Sequence, residues 1–142
     1  MEEQRETSTN RKKILVVDDE LYVRKCLNAI LSKLGHEVVC VKSAIDAVNT
    51  FQEIQSSANP FQIAFVDLHL PEKSGGLKVC EKIREQDKDI QLILASGDTS
   101  NPIMLDYKMY GFNGILKKPF SISQVGQSIE ELSKLNMIDL QD

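Results

Sequence analysis

Ile63-Ala-Phe-Val-Asp67-Leu-His-Leu-Pro71 is the stretch that decides how this chain is read. An apolar run over residues 63–66 ends abruptly on a carboxylate, and a proline follows at 71. A short run of this kind, with β-branched and aromatic residues, reads as a buried strand. The Pro–Gly loop behind it puts Asp67 at the carboxyl end of a sheet. In open α/β folds that edge is where ligands bind.

The same grammar recurs on both sides. Ile14-Leu-Val-Val17 runs into Asp18-Asp19-Glu20, and Glu37-Val-Val-Cys-Val41 is a second strand. Gln91-Leu-Ile-Leu-Ala95 ends at Ser96-Gly97-Asp98, and Gly114-Ile-Leu-Lys117 is closed by Lys118-Pro119-Phe120. Helical patterns lie between and after these runs. Leu21, Leu27, Ile30, Leu31 and Leu34 share a face that ends at Gly35. Ser43, with Asp46 three positions on, opens a second helix carrying Ala44, Ala47, Val48, Phe51 and Ile54. A third covers about residues 77–86, with Leu77, Val79, Cys80 and Ile83 apolar. Asn101 and Pro102 read as cap and first residue of a fourth, carrying Ile103, Met104, Tyr107 and Met109 and ending at Gly111. Ser121 and Gln124 form a capping box for the last, whose apolar residues are Ile122, Val125, Ile129, Leu132 and Leu135. This alternation predicts a doubly wound α/β domain with a five-stranded parallel sheet and five helices. Residues 1–11 read as a disordered lead-in or linker, 12–136 as the domain, and 137–142 as a short tail.

The bulk properties fit one domain with a real core: 142 residues, 42% hydrophobic and 27% charged. A net charge of −4 points away from nucleic acid or an anionic membrane as the main partner. No apolar run approaches the ~18–20 residues of a membrane span. The N-terminus lacks the apolar core of a signal peptide. Three cysteines without a C-x-x-C pair argue against a disulfide framework or a zinc site. The expectation is a cytoplasmic protein in which Cys26, Cys40 and Cys80 are small buried residues.

In a parallel sheet the strand ends point one way, so Asp18-Asp19, Asp67, Ser96 and Lys118 can converge. Three carboxylates together repel and need a cation, and hard oxygen ligands suit Mg²⁺. A lysine and a hydroxyl supply charge and a donor for phosphoryl oxygens. An aspartate can also carry a phosphoryl group as an acyl phosphate. Each residue has an ordinary reading too. The acid run can cap a helix, Asp67 can cap a loop, Ser96 can serve a turn, and Lys118 can be one of seventeen solvated basic residues. Their joint placement at strand ends favours the site.

At these residues the chain resembles a response-regulator receiver domain, the CheY-like phosphoacceptor family of two-component signalling. The resemblance covers about residues 12–136. It rests on Ile-Leu-Val-Val-Asp-Asp-Glu at 14–20, Val-Asp-Leu-His-Leu-Pro at 66–71, Leu-Ala-Ser-Gly at 94–97 and Leu-Lys-Lys-Pro-Phe at 116–120. It implies a sheet order of 2-1-3-4-5 with the site at the topological switch point. It implies that Asp67 is the phosphoacceptor. Mg²⁺ is then held by Asp18, Asp19, Asp67 and the backbone carbonyl of His69. Ser96 and Lys118 bind the phosphoryl group, Pro119 occupies a cis position, and Lys117 is solvated. The donor is a histidine kinase or a histidine phosphotransfer protein. The readout surface is residues 102–110 and 114–135. His69 and Asp98 sit where the family tunes phosphoryl loss.

Two positions depart from the family pattern. Ile115 stands where the family places a switch aromatic, and an isoleucine has neither the ring's bulk nor its hydrogen bond. Ser74-Gly75-Gly76 reads as a one-residue insertion distant from the chemistry. The expected protein is a signalling switch, not an enzyme acting on an external substrate. It is either a stand-alone receiver or the receiver of a hybrid histidine kinase, the polar lead-in suiting a linker. A degenerate receiver used only for docking is one rival. An Asp-nucleophile phosphohydrolase is another, although its second acid would fall where His69 stands. A flavodoxin-like cofactor binder would need a phosphate loop where Asp18-Asp19-Glu20 repels phosphate.

Overall fold

The apolar runs become five strands: β1 (Lys13–Val17), β2 (Glu37–Val41), β3 (Ile63–Asp67), β4 (Gln91–Ser96) and β5 (Gly114–Lys117). The computed structural model describes residues 11–141, and side chains as far as Lys134. Apart from Arg11, the expected lead-in lies outside the described residues, as does the side chain of Leu135. All strand pairs are parallel and the order is β2-β1-β3-β4-β5, as expected. Every residue of β3 is buried, because β1 and β4 flank it and helices cover both faces.

Strand alternation sorts the core into two layers. Leu15, Val17, Ala64, Val66, Leu92 and Leu94 face one side. There they meet α2 (Ala44–Gln55), α3 (Gly75–Gln86) and α4 (Pro102–Leu105) through Phe51, Val79, Ile83 and Met104. Ile14, Val16, Ile63, Phe65, Ile93 and Ala95 face the other side. There they meet α1 (Leu21–Lys33) and α5 (Ile122–Gln141) through Leu27, Leu31, Val125 and Leu132.

The expected caps form. Ser43 Oγ accepts from the Asp46 N–H, and Asn101 Oδ1 from the Ile103 N–H. Ser121 and Gln124 bond reciprocally. Gly35 and Gly111 follow their helices with φ of 96° and 103°, a region where glycine has no side chain to clash.

Several expectations are corrected. The fourth helix is a single turn, followed by a separate 3₁₀ turn over Tyr107–Tyr110, and Met109 is 80% exposed. The backbone departs from helical geometry at Asp106, which divides the two turns. Leu21 and Ile122 are exposed, not inward; each is the first residue of its helix. Leu34 is also exposed, beyond the end of α1. Only Cys80 is buried; Cys26 and Cys40 are half-buried on the α1 side, and all three are free thiols. The last helix runs on to Gln141, over residues set apart as a tail.

The Ser74-Gly75-Gly76 segment is not distant from Asp67. Ser74 turns left-handed (φ 55°), and both glycines lie in the first turn of α3. A Cβ on Gly76 would stand 2.5 Å from the Asp67 carbonyl oxygen and 3.0 Å from the Leu68 Cα. The bare backbone of Gly76 therefore sets how closely α3 approaches β3. Gly126, within α5, has as its nearest neighbour Leu34 Cδ1 at 3.9 Å, which is ordinary contact.

These two glycines predict opposite outcomes. Gly76→Ala is expected to destabilise the fold by about 2 kcal/mol, because backbone must shift to admit the methyl group. Gly126→Ala is expected to stabilise it by about 0.5–1 kcal/mol. Urea unfolding followed by far-ultraviolet circular dichroism suits a chain without tryptophan. Equal effects of the two changes would refute the close-approach account.

Candidate functional site

Four strand ends deliver the site. Asp18 follows β1 and is buried, with every backbone and side-chain oxygen engaged. Its N–H donates to the Val41 carbonyl at 3.1 Å, and its carbonyl accepts from Arg24 Nη1 of α1 at 2.9 Å. Its Oδ1 accepts from the Glu20 N–H at 2.9 Å. Glu20 itself, at the cap position of α1, makes no side-chain cap bond, so the acid run is not serving as an ordinary helix cap. Asp67 ends β3 at 4% exposure, and its Oδ1 accepts from the His69 N–H at 3.2 Å. Ser96 ends β4, buried, its Oγ accepting from the Asp98 N–H at 3.0 Å. Lys118 follows β5. Its N–H donates to the Ser96 carbonyl at 3.0 Å, and the Lys118–Pro119 peptide is cis.

Lys118 joins the two buried acids. Its Nζ lies 2.6 Å from Asp18 Oδ2 and 3.4 Å from Asp67 Oδ1. Lys117 is exposed, so of the two adjacent lysines the one before the proline enters the site. Burial acts to lower the Lys118 pKa. The hydrogen bond to Asp18 and the charges of Asp67 and Asp18 outweigh it, holding the amine above its usual range. Asp67 goes the other way. Burial, then the charge of Asp18, push its pKa up to about 6, and Lys118 and the His69 N–H offset this only in part.

The acids outnumber the lysine. Carboxylate oxygens of Asp18, Asp19 and Glu20 lie within 4.8 Å of one another, Asp18 buried and the other two exposed. Asp67 stands outside that trio and meets it through Lys118. Glu20 had no assigned role in the sequence, although it belongs to the same acid run. A concentration of hard oxygen ligands with one amine beside it fits a divalent cation of the Mg²⁺ type.

The site opens into a cleft of about 680 Å³. One end is polar, with Asp67, His69, Ser96, Gly97 and Lys118. The other end is apolar, formed by Tyr22, Val23, Cys26, Ile30, Phe120 and Ile122 from α1 and the start of α5. The sequence reading missed this half; its one local signal was the Leu21-Tyr22 pair directly after the acids. At the mouth, exposed His69 Nε2 stands 3.8 Å from Asp98 Oδ2. Ile115 does not line the cleft. It pairs with Leu94 across β4 and β5 and packs, half-buried, on the α2–α3 side of the core.

The family model described as response regulator receiver domain matches residues 14–130. The probable transcriptional regulator ycf27 of Cyanophora paradoxa is 34% identical over 125 residues, which cover 87% of this chain and 48% of that protein. The chain thus spans about half the length of that relative. The chemotaxis protein CheY of Treponema pallidum is 26% identical over 122 residues, 86% of this chain and 83% of that protein. Among solved structures, the response regulator protein TrrA of Thermotoga maritima, in complex with Mg²⁺–BeF, is 26% identical with a TM-score of 0.72. That likeness covers 85% of this chain and 98% of TrrA.

The raised carboxyl of Asp67 predicts a pH-dependent stability in EDTA. An unfolded aspartate titrates near 3.9. Between that value and about 6, the folded protein binds more protons than the unfolded one, so stability falls as pH rises through the window. Asp67→Asn removes the titration. Above pH 6 the variant should be more stable than the parent by about 1–2 kcal/mol, less than the full shift because the amide loses its pairing with Lys118. The gap should close by about pH 4. A gap that stays constant across this range would show that burial of the charge is not its cause.

Proposed function

The chain belongs to the response regulator receiver domain family of two-component signalling, and on that premise we propose that it is a phosphorylation-dependent switch with Asp67 as its phosphoacceptor. The observation that carries the reading is the Lys118 amine reaching both Asp18 and Asp67, groups delivered by three different strands. A buried acid with a high pKa, an ion-paired lysine and an adjacent hydroxyl make a site suited to a phosphoryl group more than to a structural ion pair.

Asp18, Asp19 and Asp67, with the backbone carbonyl of His69, would hold Mg²⁺, the ion that TrrA carries in its Mg²⁺–BeF complex. Bound there, the ion supplies positive charge to the transferring oxygens and keeps Asp67 ionised. The remaining work falls to the protein's own groups. An Asp67 carboxylate oxygen attacks the phosphorus of a phosphohistidine. The P–N bond breaks, the imidazole leaves with the electron pair, and an acyl phosphate forms on Asp67. Lys118 pairs with the charge on the phosphoryl oxygens, which is where protein catalysis of this transfer mostly acts. The Ser96 hydroxyl donates to a phosphoryl oxygen. Attack of water on phosphorus later breaks the P–O bond and restores the carboxylate.

The donor in this reading is a histidine kinase or a histidine phosphotransfer protein. The domain turns over no external substrate and works in the cytoplasm. The response is read from residues 102–110 and 114–135. The short α4 and the exposed Leu105 and Met109 support a readout built on movement of that segment. With Ile115 in place of an aromatic, the response runs through the loops and not through rotation of a ring.

Intact mass after incubation with acetyl phosphate tests the proposal. Wild type should gain one phosphoryl adduct only with Mg²⁺ present, and Asp67→Asn should gain none. A folded wild type that gains none from acetyl phosphate or from a purified phosphohistidine donor would overturn the reading, and so would an adduct that persists in Asp67→Asn.

A further inference from the structure

The loop between Asp67 and α3 is tied to a helix it does not belong to. Glu72 Oε1 accepts from the Ala44 N–H at 3.0 Å, and Oε2 from the Ile45 N–H at 3.1 Å. The first four N–H groups of a helix have no partner within it and carry partial positive charge. In α2 the Ala44 and Ile45 N–H groups donate to Glu72 and that of Asp46 donates to Ser43 Oγ, while the Ala47 N–H makes the first bond of the helix itself, to the Ser43 carbonyl. Two of these three capped donors are thus held from a loop 27 and 28 positions downstream. The hydrogen bond from Ala44 holds the Glu72 carboxyl below the usual glutamate range, so it is ionised at neutral pH.

Glu72 is fixed at both ends. Its carboxylate grips α2, and its carbonyl accepts from the N–H of Gly75, the first residue of α3, at 2.9 Å. On its other flank a cavity of about 280 Å³ lies between the loop and the start of α4, bordered by Leu70, Ser74, Asn101 and Ile103. The bonds to α2 therefore tie the loop on one flank, and open space borders it on the other. It also carries His69, whose N–H holds Asp67 Oδ1.

We propose that Glu72 is a positioning residue for phosphoryl transfer, holding the loop after Asp67 at the distance from α2 at which its backbone serves the metal and the acceptor carboxylate. The inference rests on the reading that Asp67 is the phosphoacceptor. It differs from a plain helix cap, which would stabilise α2 and leave the chemistry alone. Ser43→Ala separates the two, since it uncaps the same helix start and leaves the loop tied.

The test uses the full chain in four forms: wild type, Glu72→Ala, Glu72→Gln and Ser43→Ala. Mg²⁺ affinity is measured by isothermal titration calorimetry. The rate of adduct formation with acetyl phosphate is measured across Mg²⁺ concentrations. Glu72→Ala should weaken Mg²⁺ binding and slow adduct formation by about tenfold. Glu72→Gln, which keeps one acceptor oxygen, should fall between it and wild type. Ser43→Ala should match wild type in both readouts despite its lost cap. Glu72 variants indistinguishable from Ser43→Ala would overturn the inference. If Glu72→Ala unfolds at the assay temperature, Glu72→Gln against Ser43→Ala decides it in the same way. A wild type that takes no adduct refutes the phosphoacceptor reading, and the Mg²⁺ titrations alone then judge Glu72.

Discussion

Asp67 is a carboxylate at the end of a strand with no exposed residue, and much of the molecule is arranged around the cost of ionising it. Burial and the neighbouring Asp18 both oppose its charge, and the Lys118 amine only partly offsets them. The same lysine sits closer to Asp18, so one cation is divided between two acids. A site left with excess negative charge in a buried setting has a standing demand for positive charge.

The demand is imposed by topology. Only a parallel sheet aims the ends of β1, β3, β4 and β5 at one edge. The opposite edge is tied down by a different device. Arg84 of α3 donates to the carbonyls of Ile90 and Gly111 and to Asn113 Oδ1, and Asn113 Oδ1 also accepts from the Leu92 N–H. This clamps the starts of β4 and β5 to α3. One edge of the sheet is thus closed with backbone carbonyls, and the other is where Asp18, Asp67, Ser96 and Lys118 come together.

The loops at that edge are held by groups outside the site. Gly76 allows α3 to lie on the Asp67 peptide, Arg24 takes the Asp18 carbonyl, and Glu72 links the β3–α3 loop to α2. The segment between β4 and β5 is a one-turn α4 and a 3₁₀ turn, with Leu105 and Met109 in solvent.

The strand runs, the helix caps at Ser43, Asn101 and Ser121, the sheet class and the convergence of Asp18, Asp67, Ser96 and Lys118 were all legible in the chain. They rest on local rules: apolar period, capping chemistry and the common direction of parallel strand ends. Lys118 was told from Lys117 by the family resemblance, which places the site lysine directly before the proline. What was not legible depends on contacts between segments distant in sequence. The closeness of Gly76 to Asp67, the grip of Glu72 on α2 and the apolar half of the cleft between α1 and α5 have no period or motif. The exposure of Leu21 and Ile122 and the partial exposure of Cys26 and Cys40 are likewise features of tertiary packing. Sequence patterns report which face of an element is apolar, whereas tertiary packing decides how much of that face finds a partner.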